Sequence, residues 1–179
     1  MPCSKTLSAD RSRVPRLATL GYEGATLEDF LAALGRWEIE TLVDVRERAQ
    51  SRKRGFSKKG LGEALRALGV AYLHLPALGT PKRGRDAARR GDRALFEGIY
   101  RARLAEAPAQ EALRGLASLA ARQRVCLLCF ERDAARCHRR LLAEVIAAET
   151  PVAVEHLEVP GPPWSGSRTR SSPTGQAAP

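Results

Sequence analysis

Val125-Cys-Leu-Leu-Cys-Phe-Glu-Arg-Asp-Ala-Ala-Arg-Cys-His-Arg-Arg-Leu-Leu-Ala-Glu144 is the stretch whose reading decides the fold. The apolar run Val125 to Phe130 has the length and composition of a buried strand. It stops abruptly in charge at Glu131, Arg132 and Asp133, and a helical pattern then runs from Ala134 to Ala148. This places Cys137 about one turn into a helix. In α/β proteins ligands bind at such a junction, outside the carboxyl end of a strand and at the start of a helix. Two thiols, two carboxylates, an imidazole and a guanidinium gather there.

The same alternation extends outward. Strands are expected over Arg16–Leu20, Ile39–Val45, Val70–Leu75 and Val152–Val159. A helix should start after Thr26, with Asp29 in the capping-box position and Leu27, Phe30, Leu31 and Leu34 on one face. Ser57 can cap a second helix over Lys58 to Leu68, stopped by Gly69. Pro76 to Asp92 reads as a long basic loop, and Ala94–Ala107 and Ala109–Ala121 as helices separated by Pro108. The pattern predicts an α/β fold: a single domain, a mainly parallel sheet flanked by helices on both faces, with Rossmann-like or flavodoxin-like layers. Residues 1–15 read as a disordered N-terminal extension, 16–159 as the domain, and 160–179 as a disordered Pro/Gly/Ser-rich tail.

The chain of 179 residues is long enough for one such core. No apolar stretch nears the ~20 residues of a membrane span, and the polar, basic N-terminus is not a secretory signal. The expectation is a cytoplasmic protein without membrane contact, its cysteines reduced. The net charge of +10 favours polyanionic partners, either nucleic acid or a phosphorylated small molecule. The charge is clustered. One run carries Arg46, Arg48, Arg52, Lys53, Arg54, Lys58 and Lys59 against Glu47 alone. A second carries Lys82, Arg83, Arg85, Arg89, Arg90 and Arg93 against Asp86 and Asp92. Neither a P-loop nor a dinucleotide glycine motif is present.

Several residues are candidates for chemistry. Glu131, Cys137, Cys129, Glu23 and Asp44 are the catalytic candidates, since all fall at or beside expected strand ends. Glu131 can act as general acid or base, as a metal ligand, or in an ion pair. Asp133 reads better as a helix N-cap. Cys137, beside Arg139 and His138 near a helix start, has reason to be a thiolate. Cys126 reads as a core thiol, on the opposite strand face from Cys129. Arg46, Arg52 and Lys58 are the best phosphate ligands, joined by His138 and Arg139, while Tyr22 and Phe56 offer stacking on a base. His74 and His156 read as core or capping residues. Cys129, Cys137 and His138 are zinc-ligand types, but their eight-residue gap and adjacent Cys-His match no recognised zinc spacing, so no metal is assigned. A Cys129–Cys137 disulfide is a further option if the Cα atoms lie within ~7 Å. The residues name no cofactor and no oligomeric state.

Five motifs in register then point to a family. Thr19-Leu-Gly-Tyr-Glu-Gly24, Leu42-Val-Asp-Val-Arg46, Ser51-Arg52 with Gly55-Phe-Ser-Lys58, His74-Leu-Pro with Leu78-Gly79 and Pro81-Lys82, and Leu127-Leu-Cys-Phe-Glu131 with Cys137-His-Arg139 resemble the DUF488 family of uncharacterised proteins. The resemblance runs from about Leu17 to Leu157. It implies an α/β fold of this size and no particular reaction. Ala134 departs from it, standing where Asp-Pro is common. The reading is an enzyme acting on a phosphate-bearing substrate, a nucleotide or nucleic acid, through a Cys/Glu/Arg site at the carboxyl ends of the strands. The alternatives are a non-catalytic nucleic-acid-binding module and a thiol-based redox or metal sensor.

Overall fold

The structure is a computed structural model, and it describes residues 15–159. The expected tail, and all of the expected extension but Pro15, lie outside that range. Pro15 itself accepts a backbone hydrogen bond from Ala153. Five strands form one sheet in the order β3-β2-β4-β1-β5: β1 is Arg16–Gly21, β2 Thr41–Asp44, β3 Ala71–His74, β4 Val125–Cys129 and β5 Ala153–Leu157. Every pairing is parallel. The helices are α1 Leu27–Arg36, α2 Lys58–Ala67, α3 Lys82–Arg89, α4 Arg93–Leu104, α5 Ala107–Ala120 and α6 His138–Glu149. None of the described helices is long and apolar enough to cross a membrane.

Strand residues pack alternately into two cores, as a pleated sheet covered on both faces requires. Ala18, Leu20, Leu42, Cys126 and Leu128 meet Phe30 and Leu34 of α1 and Leu61 and Leu65 of α2. Leu17, Val43, Val125 and Leu127 meet Tyr100 of α4, Leu113 and Leu116 of α5, and Leu142 and Ile146 of α6. Right-handed crossovers account for this division. The chain steps outward from β1 to β3 over one face, then returns through β4 to β5 over the other. The connections leaving β2 and β4 therefore diverge to opposite faces, which by topology sets the crevice between the carboxyl ends of these neighbouring strands. That is the topological switch point, where α/β sheets bind their ligands.

Local structure departs from the sequence reading in four places. Pro76 to Asp92 is not one loop: it holds a 3-10 turn, Pro76–Leu78, and the whole of α3. Pro108 does not separate two helices but lies in the first turn of α5, where its missing N–H costs no hydrogen bond. Cys137 is not inside a helix. A 3-10 turn, Ala134–Arg136, capped by Asp133, comes first, and Cys137 is the extended N-cap residue of α6. Thr26 does cap α1, but the Asp29 carboxylate accepts from the Thr26 hydroxyl instead of the cap backbone amide.

Two glycines permit close approaches beside the crevice. A Cβ on Gly21 would lie 1.8 Å from the Glu131 carbonyl oxygen, and one on Gly79 would lie 2.1 Å from the Glu47 amide nitrogen. Both obstacles are backbone, which cannot rotate aside. Gly115, within α5, has nothing within 4 Å of its would-be Cβ. Urea denaturation should therefore rank two substitutions in opposite directions. Gly21→Ala is expected to lose ~1–3 kcal/mol through overpacking, and Gly115→Ala to gain ~0.5–1 kcal/mol through helix propensity.

Candidate functional site

Four side chains converge in the crevice. The donor atoms of Cys129, Glu131, Cys137 and His138 all lie within 4.8 Å of one another. Glu131 Oε2 is 3.0 Å from Cys129 Sγ and 3.1 Å from Cys137 Sγ. His138 Nδ1 is 3.7 Å from each sulfur. Cys129, Cys137 and His138 are buried, and Glu131 is partly exposed.

Each donor is held by an identifiable device. Cys129 ends β4 on the face that α6 covers. Cys137 is the extended N-cap residue of α6, and its side chain makes no capping hydrogen bond, so its sulfur is left to the cluster. The next residue then begins the helix and returns its ring to the same volume. His138 Nε2 bonds the Val45 carbonyl at the end of β2, at 3.0 Å. A carbonyl only accepts, so Nε2 carries the proton, and in the neutral ring the Nδ1 lone pair faces the two sulfurs. Tyr100 packs edge-on against this ring, centroids 5.1 Å apart. The guanidinium of Arg139 donates from Nε to Cys137 Sγ at 3.3 Å and from its terminal nitrogen to the Glu131 carbonyl. The Glu131–Arg132 turn is fixed further by Glu23, whose carboxylate accepts from the Arg132 amide at 3.0 Å.

The electrostatics follow from this crowding. Burial alone would raise the Cys137 thiol, but the hydrogen bond from Cys129 and the charges of His138 and Arg139 bring it well below the ordinary thiol value. Cys129, hydrogen-bonded to Cys137 and buried, is pushed well above that value. Burial and the charge on Cys137 raise the Glu131 carboxyl. Burial opposes protonation of His138, yet the Cys137 thiolate raises it above an ordinary imidazole. The cluster thus holds more anionic donors than one small volume can ionise, and retains protons to compensate. A divalent cation would replace those protons. Metal–ligand bonds of ~2.0–2.3 Å in tetrahedral array put donors ~3.3–3.8 Å apart, near the 3.0–3.7 Å spacings of the Glu131 and His138 donors to the two sulfurs, while the whole set spans up to 4.8 Å.

The other candidate residues are placed differently. Asp44 and Arg46 are both buried and form an ion pair. Asp44 also accepts from the Tyr72 hydroxyl at 2.6 Å, while Arg46 donates to the Tyr22 hydroxyl at 2.9 Å and the Phe56 carbonyl at 3.0 Å. These bonds leave Arg46 little for a substrate phosphate, and they give Asp44 a partner to neutralise instead of a proton to move. Tyr22 and Phe56 are buried and stacked on each other, 4.3 Å between centroids, so neither presents a face to a base. Glu23 holds a turn, and Arg139 and His138 face the thiols. Arg52 and Lys58 are exposed on the basic loop and at the start of α2. His74 donates from Nε2 to the Arg46 backbone carbonyl, at 2.9 Å, as a capping residue. Cys126 is buried in the core, which pushes its thiol up to about 12. No disulfide joins the cysteines among the described residues. The Val45 carbonyl and the Tyr100 ring carried no sequence signal, the first because every residue has a carbonyl and the second because it reads as an ordinary core aromatic.

Four of the six cations of the second basic run are paired, two of them with acids outside the run. Lys82 and Arg89 pair with Asp86, Arg85 with Glu47, and Arg93 with Glu97. In the first run Arg48, Arg52, Arg54, Lys58 and Lys59 are exposed, and no ion pair found among the described residues engages them.

A family model, Domain of unknown function DUF488, matches residues 26–146. No curated protein and no solved structure gives a match.

The Asp44–Arg46 pair should behave as structure and not as substrate machinery. Asp44→Ala leaves a buried guanidinium without its counter-charge and is expected to cost ~3–5 kcal/mol in urea denaturation. Arg52→Ala, on the surface, should stay within ~0.5 kcal/mol of the parent.

Proposed function

The chain belongs to the DUF488 family, and we propose that its crevice is the centre of a metal-dependent enzyme acting on a phosphate-bearing substrate. In this reading Cys129, Cys137 and His138 hold a divalent cation, zinc before others, and Glu131 is a dissociable fourth ligand. The observation that carries it is the convergence of four donors within 4.8 Å at the switch point of the sheet. Thiolate and imidazole donors in tetrahedral array favour zinc over the oxygen-loving magnesium or calcium.

Three observations support catalysis. The donors lie at the carboxyl ends of β2 and β4, where such folds place their ligands. Glu131 alone among them is partly exposed, so it is the donor that solvent or substrate can displace. Zinc enzymes commonly keep three protein ligands and one exchangeable position. A cation there supplies Lewis acidity toward a phosphoryl or acyl oxygen and acidifies a bound water. The chain's own residues do the rest. The Glu131 carboxylate, the partly exposed donor, would be the base for the proton of an attacking water. Arg139 holds the Cys137 sulfur and the Glu131 backbone in place, as outer-sphere donors do for metal ligands. Exposed Arg52 and Lys58, which no ion pair found among the described residues engages, supply phosphate-binding charge. The four-donor completeness of the site favours a second reading, a closed metal or thiol sensor without turnover. A non-catalytic nucleic-acid module would rest on the basic loop alone and leave the buried donors without a purpose.

Elemental analysis of protein expressed with added zinc should find about one metal per chain, lost in Cys137→Ser and in His138→Ala. Metal-free wild type would reject the centre. Cobalt-substituted protein should show thiolate-to-metal absorption that shifts when azide is added, as an exchangeable position requires. A spectrum indifferent to azide selects the closed sensor.

A further inference from the structure

We propose that Phe130 is the stacking platform for the base of a nucleotide-type ligand, whose phosphate is taken by the exposed arginines of the loop after β2. This rests on the metal-centre reading only for what happens to the ligand next, not for its binding. Phe130 follows the last residue of β4 and precedes Glu131, yet the residue is 46% exposed. Tyr22, the aromatic at the corresponding place after β1, is buried, so Phe130 stands in contrast to it. It is also held rigidly. Its ring lies edge-on to Tyr22, 5.4 Å between centroids, and Tyr22 is stacked on Phe56, which meets Phe30 edge-on at 5.3 Å. The Phe130 carbonyl accepts from the Glu23 amide at 2.9 Å, so the backbone below the ring is fixed as well. A single exposed aromatic is ordinary on a protein surface. One braced by a buried aromatic stack beside a cationic loop meets the two needs of a nucleotide: a π-face and phosphate charge.

The loop is brought to Phe130 by shared contacts. Lys53 Nζ reaches the Tyr22 carbonyl at 3.4 Å and lies 5.8 Å over the Phe56 ring. The loop is closed upon itself, with Arg46 bound to the Phe56 carbonyl and the Lys58 amide to the Ala49 carbonyl. Arg48, Arg52 and Arg54 are exposed on it. Phe130 and Lys53 thus both rest on Tyr22, one on its ring and one on its backbone. The ring sits on the α1–α2 side of the sheet edge and the four donors on the α6 side. A ligand gripped at Phe130 therefore crosses the ends of the strands toward the crevice. Tyr22 and Phe56 act as the support beneath the platform and not as the platform.

The test measures binding of the four nucleoside monophosphates, ribose 5-phosphate and a mixed-sequence single-stranded oligonucleotide to wild type, Phe130→Ala, Phe130→Trp and Arg52→Glu. Base-bearing ligands should bind more tightly than ribose 5-phosphate. Phe130→Ala should remove that margin, about tenfold, while leaving ribose 5-phosphate unchanged. Phe130→Trp should keep the affinity, with its fluorescence quenched on binding. Arg52→Glu should weaken all the ligands, more at low salt than at high. Monophosphates that match the oligonucleotide identify a free nucleotide as ligand. Oligonucleotide binding without monophosphate binding identifies a single strand. Equal affinity for ribose 5-phosphate and the nucleotides, or a Phe130→Ala variant that binds them as wild type does, overturns the proposal. Metal content measured on the same samples separates the two readings. Full metal with Phe130-independent binding sinks the platform alone, and Phe130-dependent binding without metal sinks the centre alone.

Discussion

The hydrogen bond from His138 to the Val45 carbonyl is the contact on which the site depends. It joins the start of α6 to the end of β2, and so spans the crevice between two strands that are neighbours in the sheet but far apart in sequence. It fixes the imidazole proton on the outer nitrogen and leaves the inner one facing two sulfurs. The other tautomer would present an N–H to that volume and exclude a cation. The strand order thus decides the tautomer, since only a sheet with β2 beside β4 offers a carbonyl at that place. Tyr100 and Arg139 reinforce the same arrangement from α4 and from α6 itself.

The buried Asp44–Arg46 pair has a complementary role at the other side of the crevice. Buried ion pairs contribute little net stability against an apolar alternative, and removing one partner is costly because the other charge stays buried. What the pair supplies here is position. The guanidinium grips a carboxylate on β2, a hydroxyl after β1 and a carbonyl just ahead of α2, so three separate segments share one planar group. The basic loop between Arg46 and Phe56 is therefore closed at its base. Its exposed arginines project from a fixed frame instead of a loose segment.

Much of the layered architecture was legible in the residues. Apolar runs such as Val125–Cys129, buried on both faces, separated by capped helical patterns, allow few other arrangements. α3 was not legible because Lys82-Arg-Gly-Arg-Asp-Ala-Ala-Arg89 has almost no apolar stripe: only Gly84 and Ala87 are buried. The donor set was hidden for a different reason. Adjacent residues in a helix point in diverging directions, so Cys137-His138 does not read as a ligand pair. It becomes one because Cys137 is extended, at φ −117° and ψ 150°, and the helix begins only after it. Burial was the other unreadable quantity. Arg46, Tyr22 and Phe56 carry the right chemistry for a ligand, and Phe130 reads as the end of a core strand. The structure reverses them: the first three are inside and the last is outside.

The parallel sheet also has a bearing on how the chain acquires its shape. β1 lies between β4 and β5 and touches neither β2 nor β3 in the ladder. Leu17 pairs with Val125 and Leu20 with Leu157, so the first strand made waits for the last two. During synthesis only β2 and β3 can pair early, through the local α2 crossover. Until β4 emerges, the apolar faces of Leu17 and Leu20 have no sheet to join, and the glycine at position 21 has no backbone to approach. Such long-range pairings slow folding and prolong exposure of sticky strands. The crevice thus exists only once the segment that carries Cys129, Cys137 and His138 arrives, with β5 alone still to be added to the sheet.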